Sequence, residues 1–267
     1  MIIKLLNQIA PEYLACEWDN VGLLVGDEKQ TVEKILVALE VTDEVINYAI
    51  SEKADMIVTH HPMLFSPIKR ITSDTPNGRR IIKLLQNNIC YYAMHTNFDA
   101  SQKGMANLAA KKLNLTAVEV LDDEVTYQNE FGEECLAGIG RIGELERPMM
   151  LEELCQWTKE VFGNKVLTVY ASKEQMKKMI HKVSIVPGSG KDYVVSSIQK
   201  GADILITGDM NHHAGLDAMD MEFAVIDAGH YRTEQIFIPY ITEYIWNKCE
   251  CNLEVIAMPV SDPFQMV

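Results

Sequence analysis

The chain has 267 residues, 48% of them hydrophobic, so it is long enough for one large or two modest domains with a sizeable core. Its 24 basic and 38 acidic residues give a net charge of -14, which argues against nucleic-acid binding because phosphate contacts need clustered Lys and Arg. No apolar run reaches the roughly 18 residues of a membrane span. The six cysteines show no zinc-finger spacing, and a chain of this size with its own core does not need disulfides, which favours reduced thiols in a cytoplasmic protein.

Strand-like and helix-like patterns alternate along the chain. Short β-branched runs indicate strands, and apolar residues three and four apart indicate helices. Because strands alternate with helices, we expect an α/β fold with parallel strands and right-handed crossovers. In chain order the predicted elements are a helix over 1–9, a strand over 34–39, a helix over 43–51, a strand over 55–59, a helix over 79–86, a strand over 89–94, a short helix after 104, a loop or hairpin over 121–134, a helix over 151–162 and a strand over 165–170.

The second half of the chain repeats the first. Residues 54–59 (ADMIVT) align without a gap with residues 202–207 (ADILIT), 148 positions later, and the flanking strand and helix follow the same shift. Chance likeness between two βαβ units is the alternative. The repeat predicts two related α/β lobes with mostly parallel sheets and a metal site in the cleft between them. Lobe one is predicted to span 1–120, with 225–267 returning to it, and lobe two to span 121–224.

Two adjacent histidines follow the buried strand of the first lobe. His60 and His61 come directly after residues 55–59, and Pro62 forces the chain out of the strand ladder. Ligands of open α/β sheets bind beyond the carboxyl ends of the strands. The pair therefore favours metal ligation, with a helix cap or a hydrogen-bonded core pair as the alternatives.

Two further strand ends carry metal-ligand types. Asp99 follows strand 89–94, and His230 and Glu234 follow a strand over 223–226, four apart on one predicted helix face. A helix cap at Asp99 and a surface ion pair at His230 are the alternatives. Three imidazoles and two carboxylates exceed what one ion needs and suit two ions bridged by carboxylates. The five candidate ligands are His60, His61, Asp99, His230 and Glu234.

Two further segments, the 187–190 turn and residues 211–213, could hold a substrate. The 187–190 turn (PGSG) offers backbone amides to a phosphate, although a tight turn is the more common reason for such glycines. His212 and His213 lie outside the metal set and suit a helix start or an inter-lobe contact. The 18–20 loop (WDN) is either a lip near the cavity or a buried anchor.

Five ordered motifs, which span nearly the whole chain, carry a specific resemblance. The chain resembles the dinuclear-metal family of GTP cyclohydrolase I type 2 homologues, also known as NIF-three-like proteins, in its short form. The resemblance implies two divalent metal ions on the five candidate ligands, two α/β lobes, and a homohexameric ring with the sites facing its cavity. The motifs are residues 17–23, 59–62, 95–99, 207–209 and 229–234.

The family name implies hydrolytic opening of the purine ring of GTP. Two ions suit such a reaction, because one activates a water while the other polarises the bond attacked. His95 is predicted as a catalytic general acid or as a partner of Asp99, with a packed histidine as the alternative. We therefore expect a metal-dependent hydrolase of a nucleotide or phosphorylated compound. A metal-handling protein and a ring-shaped scaffold are the alternatives, and zinc, manganese, iron and cobalt all suit the ligands.

Overall fold

The computed structural model describes residues 1–129, 131–249 and 253–264. The chain divides into two compact units. Unit one contains Met1–Ser101 and Phe237–Ser261, and unit two contains Gln102–Ile236 together with the C-terminal residues from Asp262. Among the helices of these described ranges, none is both long and apolar enough to cross a membrane.

Strands and helices alternate through much of the chain, as the sequence predicts. The strands are β1 (Gly22–Val25), β2 (Lys34–Ala38), β3 (Met56–Thr59), β4 (Cys90–Ala93), β5 (Leu115–Gln128), β6 (Glu134–Met150), β7 (Thr168–Tyr170), β8 (Met179–Ser189), β9 (Ile204–Gly208), β10 (Ala224–Asp227) and β11 (Glu254–Ala257). The helices are α1 (Ile2–Ile9), α2 (Asp43–Ser51), α3 (Pro76–Gln86), α4 (Thr96–Ala100), α5 (Met105–Lys112), α6 (Leu151–Phe162), α7 (Val194–Gln199), α8 (His212–Asp220), α9 (His230–Glu234) and α10 (Phe237–Lys248).

Unit one is built on a five-stranded sheet in the order β1-β4-β3-β2-β11. All its neighbouring strands are parallel except β1, which pairs antiparallel with β4 at the edge. Every residue of β3 and β4 is buried, as expected for central strands covered on both faces. Leu36, Ile57 and Tyr91 pack with Ile46 of α2 and Ile81 of α3 in the core. The predicted parallel α/β sheet is confirmed for this unit.

Unit two is built on a six-stranded sheet in the order β5-β6-β8-β9-β10-β7. Only β8, β9 and β10 run parallel, and the other three pairings are antiparallel, so this sheet is mixed where mostly parallel strands were expected. The antiparallel pairings involve β7, at one edge of the sheet, and β5 and β6, which form a long hairpin where a loop or hairpin over 121–134 is predicted. Two register shifts interrupt β5, which explains why its sequence lacks a regular alternation.

The unit boundaries differ from the predicted ones at residues 120 and 225. Strand β5 pairs with β6, and β10 pairs with β9, so both belong to the second sheet. The chain rejoins unit one at Phe237, where α10 leads to β11 beside β2.

The pairing of β8 with β9 repeats that of β2 with β3. Ile35 faces Met56 in unit one, and Val183 faces Ile204 in unit two, each residue shifted by 148 positions. The same shift links Asp55 to Asp203. The Asp55 carboxylate accepts from the backbone amides of residues 33 and 34 at the start of β2, and the Asp203 carboxylate accepts from those of residues 181 and 182 in β8. Both the register and the loop chemistry therefore support the repeat read from the sequence.

Helices α4 and α9 occupy equivalent places in the two units. Each begins three residues after a strand, α4 after β4 and α9 after β10, with a shift of 134 positions between them. Asp99 lies in α4, and His230 and Glu234 lie in α9. The candidate carboxylate ligands of both units therefore come from the same element of the repeated motif.

Candidate metal centre

His60 is a fully buried histidine at the carboxyl end of β3. Its Nδ1 lies 2.7 Å from the carbonyl oxygen of Met94, which can only accept, so Nδ1 carries the proton. The lone pair of Nε2 is then available for a metal, and this atom lies 3.6 Å from Oδ1 of Asp99. A ligating histidine is commonly oriented in this way by a backbone carbonyl.

Three imidazoles of unit one form a histidine cluster made of His60, His61 and His95. The centroid of the His60 ring lies 4.9 Å from that of His61 and 5.2 Å from that of His95, and the other two rings are 5.6 Å apart. One ring nitrogen of each lies within 4.8 Å of the others, close enough to share an ion. Nδ1 of His61 also lies 3.5 Å from a carboxylate oxygen of Glu40, which favours the neighbouring Nε2 as the ligand atom.

Asp19 holds His95 in a fixed orientation. Its side chain is fully buried, with Oδ1 2.9 Å from Nδ1 of His95 and Oδ2 accepting from the backbone amide and hydroxyl of Thr96 at 3.0 and 2.5 Å. Burial alone raises the pKa of this carboxyl, but the hydrogen bonds and charge of His95 and the bonds from Thr96 outweigh it and lower the pKa to about 2. Asp19 is therefore ionised, and Nδ1 of His95 donates to it.

The pKa of Asp19 predicts an acid-sensitive contribution to stability. A carboxyl whose pKa is lower in the folded chain stabilises it above the unfolded pKa near 3.8, and this stabilisation disappears as the pH falls through about 2. From pH 5 to pH 2, the native chain should lose about 2 kcal/mol of unfolding free energy relative to Asp19→Asn. Urea unfolding of both proteins at each pH measures the difference. A gap that stays constant over this range would contradict the assignment.

His230 and Glu234 form the candidate ligand pair of unit two. They lie one turn apart on α9, with Nε2 of His230 3.0 Å from a carboxylate oxygen of the nearly buried Glu234. Nδ1 of His230 lies 2.7 Å from Oδ2 of Asp209, just beyond β9. Asp209 therefore fixes the imidazole as a carboxylate behind a metal-binding histidine does.

Gly188 forms a backbone cradle for this pair. The 187–190 turn brings Gly188, with a φ of +73°, against the Glu234 carboxylate, and an added Cβ would overlap Oε1 of Glu234 and lie 3.3 Å from Nε2 of His230. The amide of Gly188 also donates to the hydroxyl of Thr233 at 3.0 Å. The 187–190 turn, a candidate for phosphate binding, therefore supports the ligand pair in α9. Position 188 requires glycine because a side chain would overlap Glu234 and because the backbone has a positive φ.

The structure groups the predicted ligands within each unit. His60, His61 and Asp99 lie together with His95 in unit one, and His230 lies beside Glu234 in unit two. The assignment of all five ligands to one dinuclear centre stays a prediction. The exposed pair His212 and His213 begins α8 behind the capping residue Asn211, in line with a helix start.

The sequence patterns do not predict the two carboxylates that orient the histidines, Asp19 and Asp209. Asp19 lies in the first motif, where only a lip or an anchor was predicted, and the structure shows the anchor. In the repeat, Asp209 aligns with His61. A polar residue at both equivalent strand ends is the sequence signal that could have identified Asp209 as a site residue. Neither hydrogen bond can be read from spacing, since the partners lie 76 and 21 residues apart.

The donor set of each unit fits a divalent transition metal. Imidazole nitrogens with fixed tautomers and ionisable carboxylates are the ligands that zinc, iron, cobalt and manganese accept. The Glu234 carboxylate packs against the backbone of Gly188, and this contact holds the carboxylate in place before any ion binds. These buried groups can therefore hold metal.

Comparison with known proteins identifies the family. A family model described as Duf34/NIF3 (NGG1p interacting factor 3) matches residues 1–263. A GTP cyclohydrolase 1 type 2 homolog of Clostridium acetobutylicum is 40% identical over 87% of this chain and 84% of its own length, and a protein of the same name from Clostridium perfringens is 36% identical over 100% and 98%. The crystal structure of a Bacillus cereus protein related to NIF3 matches with a TM-score of 0.89 at 25% identity, covering 100% of this chain and 98% of that one. The chain therefore belongs to the Duf34/NIF3 family.

Proposed function

We propose that this protein is a dinuclear metal-dependent hydrolase that acts on a nucleotide or a related phosphorylated compound. His60, His61, Asp99, His230 and Glu234 are the proposed ligands of the two ions. The observation that carries the proposal is the Asp19–His95 pair, a charged and buried carboxylate that orients an imidazole directly beside two histidines of ligand type. An ionised carboxylate that orients an imidazole in this way suits proton transfer beside the metal ligands.

His95 is suited to general acid–base chemistry. Because Nδ1 donates to Asp19, its Nε2 can take a proton from an attacking water and later return it to the leaving nitrogen of a C–N bond. The ionised Asp19 stabilises the imidazolium between these two transfers. Bound metal ions would lower the pKa of the attacking water and polarise the bond under attack. The hydrogen bond from Nδ1 of His60 to the carbonyl oxygen of Met94 holds this imidazole in a fixed orientation.

The names of two relatives support the proposed substrate class. The two clostridial proteins carry the name GTP cyclohydrolase 1 type 2 homolog, which refers to hydrolytic opening of a guanine nucleotide. A guanine nucleotide combines a C–N bond for hydrolysis with phosphates. We therefore place GTP first among the compounds to be tested.

A hydrolysis screen tests the proposal. GTP, other nucleotides, and cyclic and monophosphate esters should be incubated with the metal-loaded protein, with and without a chelator. At least one compound should be hydrolysed, the chelator should stop the reaction, and His95→Gln should slow it by about 10²- to 10⁴-fold while the metal content stays unchanged. The exposed His212→Ala is the matched control and should act like the native protein.

Two results would overturn the hydrolase. Hydrolysis that survives both the chelator and His61→Ala would exclude a metal-dependent reaction. Full metal loading without hydrolysis of any compound in the screen would favour the metal-handling alternative.

A further inference from the structure

We propose that Trp18 and Phe65 form a platform that binds a planar heteroaromatic ring of the substrate beside His95. The inference rests on the proposed function in one respect, since it names the ring-bearing class of compound for the same site. A purine or pterin base is the chemistry that such a platform recognises. The platform lies entirely within unit one, next to the histidine cluster.

The two rings are exposed although both are large and apolar. Trp18 is 61% exposed and Phe65 is 50% exposed, and their ring centroids lie 5.7 Å apart at an angle of 51°. Both rings also approach His95 edge-on, at 6.2 Å from Trp18 and 6.4 Å from Phe65. Two exposed aromatic faces thus border an imidazole that Asp19 holds in place.

Hydrogen bonds fix the two loops that carry the platform. Asn20 donates to the carbonyl oxygen of Leu64 at 2.6 Å, which ties the Trp18 loop to the Phe65 loop. The buried Asp19 anchors the residue after Trp18, and the amide of Met63 donates to the hydroxyl of Tyr91 at 2.8 Å. The aromatic faces are therefore ordered before a ligand arrives, so binding costs little conformational entropy.

The spacing of the rings determines how a ligand would sit. At 5.7 Å the rings of Trp18 and Phe65 touch each other and leave no space for a third ring between them. A flat heterocycle would therefore stack on an outer face of the pair. Because both rings lie within 6.4 Å of the His95 ring, the heterocycle would bind next to the group proposed to transfer protons.

Equilibrium binding tests the platform without requiring turnover. Calorimetry should compare guanosine monophosphate with ribose 5-phosphate, which carries the same sugar and phosphate but no base. We expect guanosine monophosphate to bind more tightly, and Trp18→Ala and Phe65→Ala each to weaken it by about tenfold, as loss of one stacking ring does. The affinity for ribose 5-phosphate should not change. Trp18→Tyr should recover much of the loss, because it restores an aromatic face.

Controls separate the platform from the alternatives. Trp246→Ala removes a tryptophan of similar exposure, 64%, on α10 and should leave both affinities unchanged. Metal content should be the same in all variants, so a failure of hydrolysis would not affect the binding result. Equal binding of the two probes, or unchanged binding by Trp18→Ala, would overturn the platform. Self-association lost in Trp18→Ala, with unchanged nucleotide affinity, would assign the rings to contact between copies of the chain and would also overturn it.

Discussion

Replacing Glu234 with glutamine is expected to lower metal affinity by more than about 100-fold, beyond the 10- to 100-fold typical of residues that only orient a ligand. The substitution keeps the size of the side chain but removes its negative charge. Glu234 is nearly buried, lies 3.0 Å from Nε2 of His230, and rests against Gly188, so a neighbouring side chain cannot easily take its place. The fold should survive, because the amide fills the same space.

Asp209→Asn is the matched comparison for Glu234→Gln. Asp209 touches the far nitrogen of His230 at 2.7 Å and is assigned an orienting role, so its loss should reduce metal affinity within the 10- to 100-fold range. Titration with zinc in a competing chelator gives both affinities. Equal affinities for Glu234→Gln and the native protein would contradict the ligand role of Glu234.

Gly188→Ala is expected to disturb the same ligand pair from the backbone side. The new Cβ would overlap Oε1 of Glu234, so the carboxylate must move away from the position it holds beside His230. We expect metal affinity to fall by about tenfold or more, as for other changes that misplace a ligand. The backbone adds its own cost of about 1–2 kcal/mol, because an alanine with a φ of +73° is strained.

Gly201→Ala separates the two effects. Gly201 has a φ of +76°, and an added Cβ there would meet nothing within 4 Å. Gly201→Ala should therefore lose about as much unfolding free energy as Gly188→Ala, and its metal affinity should equal that of the native protein. Thermal unfolding and metal titration of the two variants, side by side, check this. Comparable metal affinities in Gly188→Ala and Gly201→Ala would rule out the cradle.

The sequence predicts the strands that carry the site better than it predicts the contacts that complete it. Short, partly β-branched apolar runs before His60 and before His95 predict buried strands, and the repeat aligns β9 with β3 without a gap. The sequence predicts only a loop or hairpin where the long β5–β6 hairpin forms, because β5 is largely exposed, is bulged and lacks regular alternation. Propensity and spacing describe residues that are neighbours along the chain. The hairpin depends instead on hydrogen-bond pairing between two strands.

The candidate site shows the same limit in its side chains. Residue types and strand ends were enough to nominate His60, Asp99 and Glu234. The tautomer of His60 depends on a carbonyl 34 residues away, and the cradle under Glu234 depends on a turn 46 residues earlier. Such contacts arise only when the units fold, so they cannot be found by spacing.

The metal content of the purified native protein tests the central claim most directly. Elemental analysis of protein prepared without added metal should give close to two transition-metal ions per chain. Because Glu234 is one of the proposed ligands, Glu234→Gln prepared in parallel should hold fewer ions. Two ions in the native chain would agree with the dinuclear centre, and one ion or none would contradict it.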